Sequence, residues 1–241
     1  MMQTNKMLWI YGRHAVSSAV RNPYRIIESL FITKITKVLM IDTIAYAKKR
    51  NIPVQILETE KINCLLYNKQ IQHQGIVIRT VALQQIGLMD LDFQLVKTLI
   101  FLDQVTDSGN IGAIIRSALA FSASAVINVK NCAPEENATM VKAASGAFEH
   151  IPYICVTSLR HSIQHCKKQK FWIFALTRNA INGINIIKSY NKKVLLFGAE
   201  NCGIRRINMK ISDLKVSINM SNKIDSLNIA TAASITLYSI M

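Results

Sequence analysis

Three segments of this chain join an apolar, strand-like run to a polar turn and the start of a helix, and each brings side chains that can hold an anion or handle a proton. The first reads F-L-D-Q-V-T-D-S-G-N-I-G-A-I-I-R-S-A from Phe101 to Ala118. Asn110 stands where a helix N-cap belongs, and the free amides behind it would face an anion. Arg116 follows about 9 Å further along at 1.5 Å per residue, with a side chain that leans back toward the helix start. A guanidinium so placed can grip a phosphate through two parallel hydrogen bonds. Taken alone, the same pair also serves as a plain cap and a surface charge.

The second segment, L-L-F-G-A-E-N-C-G-I-R-R from Leu195 to Arg206, sets Glu200 just past a buried strand, with Arg205 and Arg206 behind it. A carboxylate there can bind polar ligand groups, accept a proton, or simply neutralise a helix N-terminus. The third, V-S-I-N-M-S-N-K-I-D-S-L-N-I-A-T-A-A from Val216 to Ala233, places Ser226 as the cap of a helix whose first turn holds Asn228. Asparagine is a weak helix former, so its amide is there to act on a ligand or to cap a second time.

Gly109, Gly112, Gly198 and Gly203 fall in the first two segments, where glycine lets backbone approach a ligand. Gly109 and Gly112 give G-x-x-G, not the G-x-G-x-x-G of dinucleotide folds, and the Walker A spacing of Gly198 and Gly203 continues Ile204-Arg205 instead of Lys-Ser/Thr. Both nucleotide classes lose their support. No metal site is read: His161 and His165 are one turn apart, but Ser162 holds the place of the zincin glutamate, and a solvated helix face accounts for them. Cys202 has no neighbouring histidine and reads as a small packing residue.

The elements that must position these loops follow from apolar periodicity. Strand-length runs at 98–102, 125–129, 153–156, 171–176, 194–197 and 216–218 alternate with helical spacing at 111–121, 158–168 and 227–240. That pattern is α/β with a mainly parallel sheet buried on both faces. Upstream, helices at 14–21 and 42–50 and strands at 30–33, 54–57 and 76–79 form a smaller alternating unit. The chain is therefore expected to divide into an N-terminal domain over 1–85, a linker over 86–97 and a larger domain over 98–241.

Composition bounds the rest. Half of the 241 residues are apolar and 18% charged, which suits a globular chain. No uncharged apolar stretch reaches the roughly 20 residues that span a bilayer, and Met7 to Gly12 is too short for a secretory core. No membrane role is expected. The five cysteines are odd in number and never spaced C-x-x-C, which fits a reducing cytoplasm. The net charge of +15 points to nucleic acid, and the first 85 residues hold 12 basic and 4 acidic side chains.

Together the three segments resemble motifs one, two and three of the SpoU family, the trefoil-knotted RNA ribose 2′-O-methyltransferases also called the TrmH-like group. I-Y-G-R-H-A-V at Ile10 to Val16 and H-Q-G-I at His73 to Ile76 are similar to the substrate-binding domain of its 23S ribosomal RNA guanosine subgroup, and that subgroup also shows an N-A-T run like Asn137 to Thr139 and a G-A-x-E stretch like Gly146 to Glu149. The resemblance implies a knotted, mainly parallel SPOUT-type sheet beside a smaller N-terminal α/β RNA-binding domain. It implies catalytic roles for Asn110, Arg116, Glu200, Ser226 and Asn228. It surrounds S-adenosylmethionine with Gly198, Ile218, Met220 and Leu227, and sets Arg13, His73, Arg205 and Arg206 toward RNA. A homodimer with sites shared between protomers follows from it too.

Ser108, Asn201, Cys202 and Asn219 depart from the family pattern. Asn201, Cys202 and Asn219 are the support for a non-catalytic RNA-binding assembly protein; a transfer RNA methyltransferase is a second alternative, weakened by His73-Gln74-Gly75 and the large N-terminal domain. The implied chemistry needs alignment of a weak ribose nucleophile and stabilisation of its developing negative charge. A guanidinium stays protonated above roughly pH 12, so Arg116 is a stabiliser and not a base. Glu200, a water or a substrate phosphate remains as proton acceptor.

Overall fold

The computed structural model describes residues 6–67, 71–221 and 223–241. The elements run Met7–Tyr11 (β1), Arg13–Arg21 (α1), Ile27–Ile32 (β2), Lys34–Leu39 (α2), Ile41–Lys49 (α3), Val54–Ile56 (β3), Thr59–Leu65 (α4) and Ile76–Val81 (β4). Thr98–Asp103 (β5), Ser108–Ala120 (α5), Ala125–Val129 (β6), Ala138–Ala144 (α6), Tyr153–Val156 (β7), Leu159–Lys168 (α7) and Trp172–Leu176 (β8) follow. The chain closes with Asn182–Gly183 (β9), Lys193–Gly198 (β10), Arg206–Lys210 (α8), Leu214–Ser217 (β11) and Ile229–Ser239 (α9).

By contacts the chain forms two units: Met1–Gln84 with Glu135–His150, and Gln85–Pro134 with Ile151–Met241. The first thus takes sixteen residues from within the span of the second, beyond the 1–85 read from the sequence. Its sheet has the order β1-β4-β2-β3, with β4 antiparallel to both β1 and β2 and β3 parallel to β2. Ile10, Leu30, Ile32, Ile76 and Ile78 are fully buried on one face. On the other, Tyr11 and Val77 pack with Ile62 and Leu66 from α4 and its end.

Glu135–His150 is held to this unit by a buried ion cluster. Arg25, wholly inaccessible, reaches Glu136 at 2.5 Å and Glu149 at 2.6 Å. Burial pulls the guanidinium pKa down, but Glu149 and then Glu136 outweigh it, and the net shift is upward. For Glu136 burial wins over the pull of Arg25 and its pKa rises. Gly146, at φ +94°, lies so close to α1 that a Cβ would sit 2.3 Å from Ser18 Oγ, which only glycine avoids. Asn137 caps α6 by accepting from Met140 N. The N-A-T and G-A-x-E stretches thus work as local architecture of the first unit.

The second unit is the mainly parallel sheet expected from its apolar runs. Its order is β7-β6-β5-β10-β8-β11-β9, and all its strand pairings are parallel among the described residues. β5 and β6 are buried at every position, as strands covered on both faces must be. Leu99, Phe101, Ile127, Ile173 and Leu196 form one core with Ile163 and Cys166 of α7. Burial pushes the Cys166 thiol up to about 12, which removes it as a nucleophile. α5 and α9 pack together and join through Ser117 Oγ and Ser234 Oγ, 2.7 Å apart.

The expected linker is ordered: Leu88 opens a short helical turn and, with Val96, is buried in the second unit's core. His161 and His165 do not share a solvated face as expected. His161 is exposed, whereas His165 packs edge-on against Phe93 at 5.1 Å. Among the described residues no helix is long and apolar enough to cross a membrane.

Arg25→Met is expected to cost about 3–5 kcal/mol, because it leaves two buried carboxylates without their counter-charge. Glu136→Gln keeps the shape, removes a charge that burial already disfavours, and costs far less. Urea unfolding of both variants beside the parent chain checks the contrast, and equal losses would contradict it.

Candidate active site

Asp103, the last residue of β5, is fully buried and organises the loop that leaves β10. Its carboxylate accepts from Arg205 N (2.9 Å), Arg205 Nε (2.7 Å) and Asn208 Nδ2 (2.8 Å). The loop from Ala199 therefore folds back over the strand end, where Gly203 N donates to Ala199 O at 2.8 Å. A Cβ on Gly198 would lie 2.0 Å from the Gly203 carbonyl carbon and 2.2 Å from Ile204 N. Gly198 is thus required by the closure of its own loop, before any ligand is considered.

This loop presents Glu200 to the starts of two helices. The N-cap of α5 is Asp107, which accepts from Asn110 N at 2.6 Å. Asn110 was expected in that place and instead sits one turn inside, with its amide free to face Glu200. The N-cap of α9 is Asn228, accepting from Ala230 N and Thr231 N, so Ser226 is not the cap and lies exposed just ahead of it. Asx-type capping by the residue nearer the helix outcompetes the serine hydroxyl.

The three segments meet at one oxygen. Asn228 Nδ2 donates to Glu200 Oε1 at 2.9 Å and to Asn110 Oδ1 at 2.8 Å. Asn110 Nδ2 and Ile229 N reach the same Glu200 Oε1 at 3.4 and 3.3 Å. Among the described residues Oε2 takes no such bond and is left to accept from something else. Arg116 points outward from α5 and joins none of these contacts among the described residues.

Beside this cluster, at the carboxyl ends of β8, β10 and β11, lies a cavity of about 410 Å³, of the size that holds a small cofactor. Gly198, Ile218, Met220 and Leu227, the four residues expected to hold the donor, all line it, as do Glu200 and Ser226. Leu176, Phe197, Met209 and Val216 make its wall mostly apolar, which suits an adenine ring and a thioether-like chain. Arg178 and Asp225, paired at 2.7 Å, add a polar edge that sequence reasoning missed. Cys202 is exposed on the same cavity, with Sγ 3.7 Å from Gln104 Oε1, and is not the packing residue expected. Asn222, within the third segment, lies outside the described residues.

Of the residues expected to meet RNA, Arg13 and Arg206 are exposed at helix starts. Arg205 is committed through Nε to Asp103. His73 is buried: Nδ1 accepts from Gly75 N at 3.0 Å, so Nε2 carries the hydrogen and donates to Asn63 Oδ1 at 3.1 Å. Burial, then Lys142, lowers its pKa. Its ring shapes the Gln74–Gly75 turn and has no nitrogen left for a ligand.

Asn228→Asp would set a second carboxylate against Glu200. Like charge raises the folded-state pKa of the pair above its unfolded value, so the penalty is present at pH 7 and shrinks as the pH falls through that raised value. We expect a deficit of about 1–2 kcal/mol at pH 7, on the scale of a one-unit shift. Thermal unfolding of both chains at pH 7 and pH 4.5 measures it, and a deficit that does not change with pH would mean that residue 228 does not face Glu200.

Comparison with known proteins agrees with this geometry. Residues 97–238 match the SpoU rRNA Methylase family, and residues 9–86 match the domain described as RNA 2′-O ribose methyltransferase substrate binding. A 23S rRNA (guanosine-2′-O-)-methyltransferase RlmB of Xylella fastidiosa is 31% identical, covering 97% of this chain and 95% of the relative. The Escherichia coli protein of the same name is 32% identical, covering 95% and 96%. An AdoMet-bound rRNA methyltransferase from Sinorhizobium meliloti shares the fold, with a TM-score of 0.79 at 23% identity over 97% of this chain and 86% of that one. With its three polar segments converging beside a cavity on a parallel sheet, this chain belongs to the SpoU rRNA methylase family.

Proposed function

We propose that this protein methylates a ribose 2′-hydroxyl of RNA, using S-adenosylmethionine, and that its acceptor is a guanosine of 23S ribosomal RNA. The observation that carries the reading is the convergence of Asn110, Glu200 and Asn228 beside the 410 Å³ cavity. When bound, S-adenosylmethionine supplies an electrophilic methyl group on a sulfonium. Gly198, Ile218, Met220 and Leu227 would hold it.

The chain's own residues do the rest. Asn228 and Asn110 fix Glu200 through Oε1, which leaves Oε2 to take the proton from the ribose hydroxyl. Arg116 aligns a substrate phosphate or the attacking oxygen and stabilises its growing negative charge. The polar cluster is complete despite Asn201, Cys202 and Asn219, which favours an enzyme over a non-catalytic binding protein. The substrate-binding domain and the ribosomal RNA relatives favour ribosomal over transfer RNA.

The resemblance also implies a knotted crossing of the second unit's chain and a homodimer. Exposed Leu119 on α5 and Ile235 and Tyr238 on α9 support the dimer, and a partner would bring further groups to Arg116. Five free cysteines suit a cytoplasmic location.

Arg116→Ala should lower methyl transfer by about 10²–10³-fold, the loss typical of one stabilising donor, while calorimetry shows S-adenosylmethionine binding unchanged. Transfer within a few-fold of the parent would remove Arg116 from the mechanism. Replacing Arg13, Arg21, Lys48 and Lys49 with glutamine should flatten the dependence of RNA affinity on log salt by roughly 3, at about 0.7 per phosphate contact. An unchanged slope would assign that charge to solubility alone.

A further inference from the structure

We propose that the uncovered end of the first unit's sheet, around Trp9, Phe31 and Arg79, stacks unpaired bases of the RNA substrate. The inference rests on the functional reading above and names the surface by which the substrate is gripped. Strand register puts Trp9, Arg79 and Ser29 in one row across β1, β4 and β2, and Tyr11, Val77, Phe31 and Gln55 in the next row of the same face. On the opposite face Ile10, Leu30, Ile32, Ile76 and Ile78 are fully buried. On this face Ile62 and Leu66 cover Tyr11 and Val77, and Trp9 and Phe31 pack against that cluster while staying partly exposed. Beyond it, among the described residues, a groove of about 590 Å³ stays open, with Trp9, Phe31, Arg79, Leu65 and Tyr67 among its walls.

The groove's flat groups are arranged and held. The rings of Trp9 and Phe31 lie 5.9 Å apart at 52°, and the Arg79 guanidinium carbon is 6.0 Å from the Trp9 ring centroid. Glu28 fixes Arg79 Nε at 2.9 Å. Tyr67 is almost wholly exposed at the rim. The part of the Trp9 and Phe31 rings that stays wet forgoes the burial that a core would give it. Nucleobases stack on aromatic rings and guanidinium planes, and they can do so only when unpaired. A protein partner would find the same apolar patch, but the first 85 residues hold 12 basic side chains against 4 acidic ones, and the excess that remains once Arg25 and Arg50 are committed to structure complements phosphate. The observations favour single-stranded RNA.

The chain has two tryptophans, so Trp172→Phe leaves Trp9 as the sole reporter. Titrating that full-length protein with an oligouridine of about ten nucleotides, within the usual span of a single-strand site, should quench Trp9 emission. A hairpin duplex of equal length should not. Trp9→Ala should weaken oligouridine binding about tenfold, within the range for losing one stacked base. Trp9→Phe should restore most of it, and S-adenosylmethionine binding should not change in either variant, which separates stacking from misfolding. Unchanged Trp9 emission while labelled RNA is seen to bind, equal quenching by the duplex, or full affinity in Trp9→Ala would each overturn the proposal and leave the methyltransferase reading standing. Failure of the parent chain to bind or methylate any RNA would overturn both.

Discussion

A single buried carboxylate sets the geometry on which the second unit's site depends. Asp103 ends a strand whose preceding four residues are apolar, and it is wholly inaccessible to solvent. It is tolerable there only because three N–H groups from Arg205 and Asn208 converge on it. Those groups lie at the end of the β10 loop, so satisfying Asp103 drags the loop back across the sheet and carries Glu200 with it. Gly198 follows as a consequence, because a loop closed this tightly leaves no room for a Cβ. The cavity wall and the placement of Glu200 are both downstream of one desolvated charge.

Arg25 has the corresponding role in the first unit, with the signs reversed. Its guanidinium is inaccessible, and two carboxylates from the Glu135–His150 segment come in to meet it. Arg50 supports the same corner, donating to the carbonyls of Val20, Asn22 and Arg25 at 2.7–2.8 Å. Two of the basic residues that make the N-terminal region look like an RNA surface are therefore structural. The charge open to phosphates is smaller than the composition suggests, and Arg13, Arg21, Lys37, Lys48, Lys49 and Lys61 are among its exposed members.

Strands β6 and β7 were legible in the sequence to the residue, β6 because every position is buried and β7 because its run stays apolar although, at the sheet edge, only Tyr153 and Ile154 are buried. α2 was not, since its apolar residues Ile35, Val38 and Leu39 stay exposed and make no buried stripe. The polar site was legible as a set of residues but not as a network. Local propensity marks both Ser226 and Asn228 as caps, and only the position of Glu200 decides which one turns inward. Asp103 and Arg25 went unread for a shared reason: a charged residue beside a turn is usually solvated, and its burial depends on partners some hundred residues away.

Glu135–His150 has consequences for how the chain can be divided. The sequence suggests a clean cut near Ile86, with RNA binding on one side and catalysis on the other. A chain truncated there would keep Met140, Val141 and Phe148, which are buried in the intact protein, and would strand Glu136 and Glu149 without Arg25. Loss of RNA affinity in such a fragment would then report damage around 135–150 as readily as a missing RNA surface. The same dependence orders synthesis: the first unit cannot complete its ion cluster until Glu149 has been made, more than sixty residues after Gln84. Side-chain substitutions on the full chain, which leave Arg25 and its partners in place, are the perturbations that separate the two units' roles.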